Sequence, residues 1–271
     1  MEKFNMYRTP HSFSWSKGKF FPKYTDLVVE TPLEIIINGE RHGLIMFTPQ
    51  MIKELVVGFV FTEGLISMFS DIIELSISSS QDDNGGRVIE ARVVIRPGIP
   101  FMAARKRKGI SYSSCGICGT EDYYELHRGL NRVKSRHRFS MDILQGLPRR
   151  LVDFQPIYKR TGGAHAAILF DSMGGPVCCS EDMGRHNALD KVIGSVLIKG
   201  VPCHDKALVS SGRASLEMIL KTAKAGIPVF VAMSRPTSRA VEAAKFYNIT
   251  LLDLARDTNR IYSHARRIKG F

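Results

Sequence analysis

Apolar and polar positions along the second half of the chain follow two rhythms. Residues 166–170 and 177–180 are short strand-like runs on either side of Ser172-Met173-Gly174-Gly175, the pattern of a hairpin. Leu189, Val192, Ile193, Val196 and Leu197 then recur at i, i+3, i+4, i+7 and i+8, one apolar helix face that Gly200 closes. A strand over 207–210, a helix over 216–225 stopped by Gly226, a strand over 227–233, a helix over 238–246 and a strand over 249–254 follow. Alternation at this spacing implies parallel strands joined by right-handed crossovers.

The first hundred residues carry a different pattern. Residues 33–37 run into Asn38-Gly39, a strong hairpin signal, and a second run at 87–95 follows the polar turn at 82–86. Between them, Thr48 is placed to cap a helix with Pro49 at its first position, continuing through Leu55 to Phe61. The expected architecture is α/β: a small N-terminal α+β domain over 1–110, an exposed loop over 111–122, and an α/β domain with a mostly parallel sheet over 123–271.

Composition narrows the class. The longest stretches without charge, such as 225–233 and 55–61, fall short of the ~18 residues of a membrane span, and no apolar leader precedes them. A soluble, cytoplasmic protein with no membrane association is expected. Five cysteines, an odd number, argue against a disulfide framework and for metal binding or reactive thiols. Lysine plus arginine number 38 against 26 acidic residues, a net charge of +12 that draws any polyanion. The basic runs lack the aromatic interleaving of a single-strand groove, so nucleic acid is not an expected partner.

In open α/β sheets ligands bind beyond the carboxyl ends of the strands. Three segments leave those ends: Ser211-Gly212-Arg213, Ser234-Arg235-Pro236-Thr237 and Ala255-Arg256-Asp257. Each offers hydroxyl, guanidinium or small-residue backbone groups before a helix start or turn, where free N–H groups favour anions. Arg213 and Thr237 are expected to touch such a ligand. The run 181–191 gathers carboxylates, Arg185, His186, Asn187 and Asp190; on a helix beginning near His186, that histidine and Asp190 share a face. There the aspartate would fix the imidazole tautomer and Arg185 would hold a phosphate, unless the group is simply a polar cap. Gly163 and His165, in Thr161-Gly162-Gly163-Ala164-His165, read equally as a turn or a ligand loop.

The sharpest local feature is Ser113-Ser114-Cys115-Gly116-Ile117-Cys118-Gly119. Two thiols at CxxC spacing among glycines suit redox exchange, metal binding or sulfur carriage, and spacing alone does not choose. A thioredoxin-like site would open a helix within a βαβ unit, unlike this glycine-rich loop. A closed zinc site would need about two further ligands from Cys178, Cys179, Cys203 or the histidines. The zinc deaminase pattern fails because His165 is followed by Ala166-Ala167, which removes the general-acid glutamate. No metal ligand set is therefore assigned.

These residues resemble the formate dehydrogenase accessory sulfurtransferases, the FdhD family. The resemblance rests on SSCGICG from Ser113, RTGGAHAA from Arg160, EDMGRHNALDKVIG from Glu181, SGRASLEMILKTAKAGIPV from Ser211 and SRPTSRAVEAA from Ser234. It implies a homodimer whose C-terminal domain is a cytidine-deaminase-like three-layer α/β fold. It also implies transfer of persulfide sulfur from a cysteine desulfurase to the molybdenum or tungsten bis-guanine-dinucleotide cofactor, activating formate dehydrogenase. Cys115 maps to the persulfide carrier and Cys118 to an assisting thiol; apart from the resemblance, His186 and Asp190, on the first helix after the hairpin, are expected beside the transfer path, where they would orient or deprotonate the attacking sulfur. The cofactor-binding stretch maps to Leu254, Ala255, Arg256, Asp257, Thr258 and Asn259, a segment that reads one residue shorter and less glycine-rich than the family's. The cofactor, Mo-bis(molybdopterin guanine dinucleotide), is bound as substrate, and GDP would mimic part of it. The alternative from another class is a non-catalytic cofactor chaperone or zinc-stabilised scaffold.

Overall fold

The computed structural model describes residues 5–81, 86–98, 130–255 and 258–271. The loop expected at 111–122, with Cys115 and Cys118, lies outside the described residues, as do Arg256 and Asp257.

Four short strands come first: β1 (Tyr7–Arg8), β2 (His11–Ser16), β3 (Lys19–Tyr24) and β4 (Leu27–Val28). β1 pairs with β4, and β2 with β3. A four-stranded sheet follows, built from β5 (Thr31–Ile37), β6 (Glu40–Phe47), β7 (Ile72–Gln81) and β8 (Arg87–Ile95) in the order β6-β5-β8-β7. Asn38 and Gly39 join β5 to β6 with φ of 49° and 84°, the left-handed pair that this hairpin needs and Asn-Gly supplies. Period-two alternation in β5 sends Leu33, Ile35 and Ile37 inward against helix α1 (Ile52–Thr62).

Thr48 does not cap α1. The helix begins three residues later, after Met51 in left-handed conformation with no side-chain cap. Thr48 is fully buried and ties the N-terminal part to the rest: its N–H donates to Asp182 Oδ2 at 3.1 Å and its Oγ1 accepts from Met183 N at 3.0 Å. The local capping pattern yields to two long-range bonds.

The second sheet has six strands: β9 (His165–Phe170), β10 (Pro176–Asp182), β11 (Ala207–Arg213), β12 (Val229–Ser234), β13 (Thr250–Asp253) and β14 (Arg260–Ile261), in the order β10-β9-β11-β12-β13-β14. The β11-β12-β13 pairings are parallel, as the alternation predicts, whereas β9, β10 and β14 join antiparallel. The sheet as a whole is therefore mixed rather than mostly parallel, because a tight hairpin closes one side and a short return strand the other. Helix α2 (Met141–Leu151) lies on one face, where Leu144, Leu147 and Leu151 meet Ala166, Ile168 and Phe170. Helices α4 (Arg185–Lys199), α5 (Leu216–Lys224) and α6 (Ser238–Phe246) cover the other, against Ala167, Leu169, Leu208 and Phe230. This makes three layers. The short helix α3 (Pro156–Thr161) leads into β9.

α1 crosses α4 closely enough that both crossing points are glycine. A Cβ on Gly58 would come within 1.9 Å of Asp190 O, and one on Gly194 within 1.9 Å of Glu54 O. Two buried ion pairs flank the crossing, Lys191–Asp182 and Lys221–Asp190, each 2.6 Å. One apolar cluster runs from β5 and β8 through α1 and α4 into the six-stranded sheet.

Candidate functional site

β10 is antiparallel to β9, and β9 to β11, so β10, β11, β12 and β13 all point the same way. Their carboxyl ends, the start of β9 and the first turns of α4, α5 and α6 meet along one sheet edge. His165 stands opposite Asp182 there in the strand register.

The centre of this edge is a bulge. The register between β11 and β12 shifts after Ser210, so Ser211 and Gly212 leave the ladder and Arg213 pairs with Ser234. Ser211 Oγ accepts from Ala166 N at 2.9 Å and lies 3.3 Å from His165 Nδ1. Gly212 N donates to Ser210 Oγ at 3.2 Å. Arg185 lies across Gly212, where an added Cβ would come within 3.0 Å of Arg185 Cδ; a side chain there would displace the guanidinium. Arg185 Nε is buried with no hydrogen-bond partner among the described residues. Burial, then the charge of Arg185, holds the His165 imidazole below its ordinary value against the opposing pull of Asp182. At neutral pH the edge thus presents an uncharged imidazole beside a guanidinium.

Helix starts border the bulge. Gly184 caps α4 without a side-chain bond, while Asp182 Oδ1 accepts from Gly184 N at 2.8 Å and Asn187 Nδ2 at 3.0 Å. Thr237 caps α6 by accepting from Ala240 N at 3.2 Å, which leaves its hydroxyl hydrogen to donate outward. Arg213 is exposed and Ser234 half-buried. Farther along, Leu254 is buried and anchors its loop through a backbone bond to Ala232. Asp253 Oδ1 accepts from Ala255 N at 3.0 Å and Thr258 Oγ1 at 2.9 Å, and Asn259 follows in left-handed conformation at φ 38°.

The structure thus brings His165, Arg185, Ser211 and Gly212 into one group, with Arg213, Ser234, Thr237, Leu254, Ala255, Thr258 and Asn259 along the same edge. Gly163 stands apart: a Cβ there would meet Val28 Cγ1 at 2.9 Å, so its smallness serves packing against β4. The expected His186–Asp190 pairing does not form as read. Asp190 gives its oxygens to Thr62 at 2.9 Å and Lys221 at 2.6 Å, whereas buried His186 reaches Ser215 Oγ at 3.4 Å and Glu217 Oε2 at 3.6 Å on α5. Sharing a helix face does not decide the partner when a buried lysine from another helix competes for the carboxylate.

Asp182 belongs to the 181–191 run singled out in the sequence, whereas Asp253 escaped the sequence reading. Each is fully buried and ends a strand at this edge, and Asp253 Oδ2 has no hydrogen-bond partner among the described residues. An acid closing an apolar run was the available signal. Of the described cysteines, burial pushes the Cys178 and Cys179 thiols up and Cys203 to about 11. Among the described residues no three His, Cys, Asp or Glu side chains gather as a metal site, and no helix is long and apolar enough to cross a membrane.

Comparison with known proteins adds the family. The FdhD/NarQ family model matches residues 28–269. Two proteins named "Sulfur carrier protein FdhD" are each 37% identical. That of Nocardia farcinica aligns over 249 residues, 90% of this chain and 88% of its own. That of Sulfurisphaera tokodaii aligns over 244 residues, 88% and 90% respectively. A crystal structure assigned as a formate dehydrogenase accessory protein from Desulfotalea psychrophila shares the fold, with a TM-score of 0.74 over 97% of this chain and all of that one at 23% identity. On the family match and these identities, the chain belongs to the FdhD/NarQ family.

Proposed function

We propose that this protein is a sulfurtransferase that carries sulfur as a persulfide on Cys115 and delivers it to the molybdenum or tungsten bis-guanine-dinucleotide cofactor on behalf of formate dehydrogenase. Family membership alongside relatives named as sulfur carriers carries the reading. The thiols of Cys178, Cys179 and Cys203 are pushed up by burial and make poor nucleophiles, which favours the CxxC pair.

The donor is a cysteine desulfurase bearing its own persulfide. The Cys115 thiolate attacks the terminal sulfur, the S–S bond of the donor breaks, and the donor cysteine leaves as thiolate. The Cys118 thiolate, at i+3, attacks Cys115 Sγ; the terminal sulfur departs as hydrosulfide to become a ligand of the cofactor's metal. A Cys115–Cys118 disulfide remains, and a thiol reductant reopens it. The CGICG loop then has to reach the sheet edge, within its own subunit or across a homodimer.

The cofactor's two guanine nucleotides are polyanionic, which gives Arg185, Arg213 and the helix starts a shared purpose. The free acceptor of Asp253 suits the adjacent N–H donors of a guanine edge. His186 is buried at the start of α4, and its role in this reading is to position the groups beside the transfer path. The cytoplasm, where thiols stay reduced, is the compartment that suits the chemistry.

Mass spectrometry after incubation with a desulfurase and cysteine tests the proposal: the expected adduct is roughly 32 Da on Cys115, absent in Cys115→Ala. No adduct, or full formate dehydrogenase activation by Cys115→Ala, removes the covalent mechanism and leaves a cofactor chaperone. If His186→Ala loads Cys115 normally but transfers slowly, the histidine belongs to delivery; an unchanged transfer rate makes it structural.

A further inference from the structure

A cavity of about 680 Å³ opens at the opposite, amino edge of the six-stranded sheet, between residues 135–138 and the last turn of the chain. Its location follows from Arg267, which donates through Nη1 to Pro228 O at 3.3 Å and Thr250 Oγ1 at 2.8 Å; Pro228 precedes β12 and Thr250 opens β13. Arg136, Arg138, Arg266 and Arg267 line it with His137 and His264, and no aspartate or glutamate side chain does.

Arg267 is the informative member. It is only 7% exposed, and its hydrogen-bond partners among the described residues are the two above and Ser135 O at 3.4 Å, all neutral oxygens. Among the described residues no carboxylate pairs with any of the four arginines. Burial alone pulls the Arg267 guanidinium below its ordinary value, the direction for a cation without a counter-ion. Buried cations are ordinarily paired with an acid, whereas Arg267 meets only neutral oxygens. His264 holds left-handed backbone at φ 47° and places its ring 2.8 Å from Lys245 O, fixing one wall.

We propose that this cavity is a second anion site, taking a diphosphate group, either free or as part of a nucleotide. Four guanidinium side chains lining one pocket of small-ligand size suit the several oxygens of a diphosphate better than the single charge of a carboxylate. Exposed Phe271, also on the lining, offers a ring on which a nucleotide's base would stack. The site lies across the sheet from the edge proposed to bind the molybdenum cofactor, so it stands or falls separately.

Hydrogen exchange on the full-length protein locates binding, with inorganic pyrophosphate, inorganic phosphate and GDP as separate probes. Pyrophosphate is expected to protect amides in 135–138 and 264–271, and Arg136→Ala/Arg266→Ala, both exposed positions, should weaken its affinity by ~10-fold or more. Arg213→Ala should leave that protection intact. GDP binding tighter than pyrophosphate, with the difference lost in Phe271→Ala, identifies a nucleotide; equal affinities identify diphosphate alone. Absence of protection in both segments, or protection unchanged in the double variant, overturns the site. Protection lost in Arg213→Ala also overturns it, because the anion would then be bound at the other edge.

Discussion

Single residues in this protein act mostly through burial. Lys191 is fully enclosed and donates to Asp182 Oδ2 at 2.6 Å, Thr48 O at 3.0 Å and Glu181 O at 3.1 Å, so one ammonium holds together β10, α4 and the connection between β6 and α1. Asp182→Asn should cost about 3–5 kcal/mol, because it strands a buried cation. Adding Lys191→Met should recover much of the loss in urea titrations, and a double variant no better than the single would refute the account. His165 makes a pH prediction. Its folded pKa lies below the ordinary 6.5, so the unfolded state binds the extra proton first as pH falls. Stability should therefore fall as pH drops below 6.5 and level off once pH passes the folded value. His165→Gln should flatten that part of the stability–pH curve; an unchanged slope would mean that other groups carry it.

At the scale of elements, the crossing of α1 and α4 depends on two missing side chains. Gly194→Ala places a methyl against the Glu54 carbonyl and should cost about 3 kcal/mol or more, read as a lower urea midpoint. Gly200 ends α4 at φ +64° with open space around it, so Gly200→Ala meets only the left-handed backbone penalty of about 1 kcal/mol. Equal losses at the two sites would show that the helices separate rather than clash. Element reading from sequence succeeded where periodicity was undisturbed, as in α4, α5 and α6. It missed α2, whose Leu144, Leu147 and Leu151 spacing is interrupted by Gly146 and Pro148, poor helix formers tolerated here because the apolar face is buried on the sheet. It also missed the strands β2 and β3, where Phe13, Trp15, Phe20 and Tyr24 are all more than 60% exposed and no buried face marks the register.

For the whole molecule, the +12 charge sets the long-range behaviour. Guanine-nucleotide binding at the carboxyl edge should weaken as salt rises, and Arg213→Ala should cost about ten- to a hundredfold in affinity if the guanidinium meets a phosphate. Titration of Arg213→Ala and Thr237→Ala against GDP at two ionic strengths checks both points, and affinities matching the parent's would remove these residues from the site.

Periodicity, glycine punctuation and the ordered motifs determined the α/β alternation, the Asn38-Gly39 hairpin and the edge at which strands and helix starts would meet, because each of these is written in local spacing. Tertiary structure decided what local spacing does not contain. Thr48 became a link to Asp182 rather than a cap, Asp190 turned to Lys221 rather than His186, and Arg185 settled over Gly212. It also set Arg267 without a carboxylate at the far edge of the sheet. For Thr48 and Asp190 the partner comes from a distant part of the chain, and the desolvation of a buried polar group, stronger than any helix-surface preference, selects it.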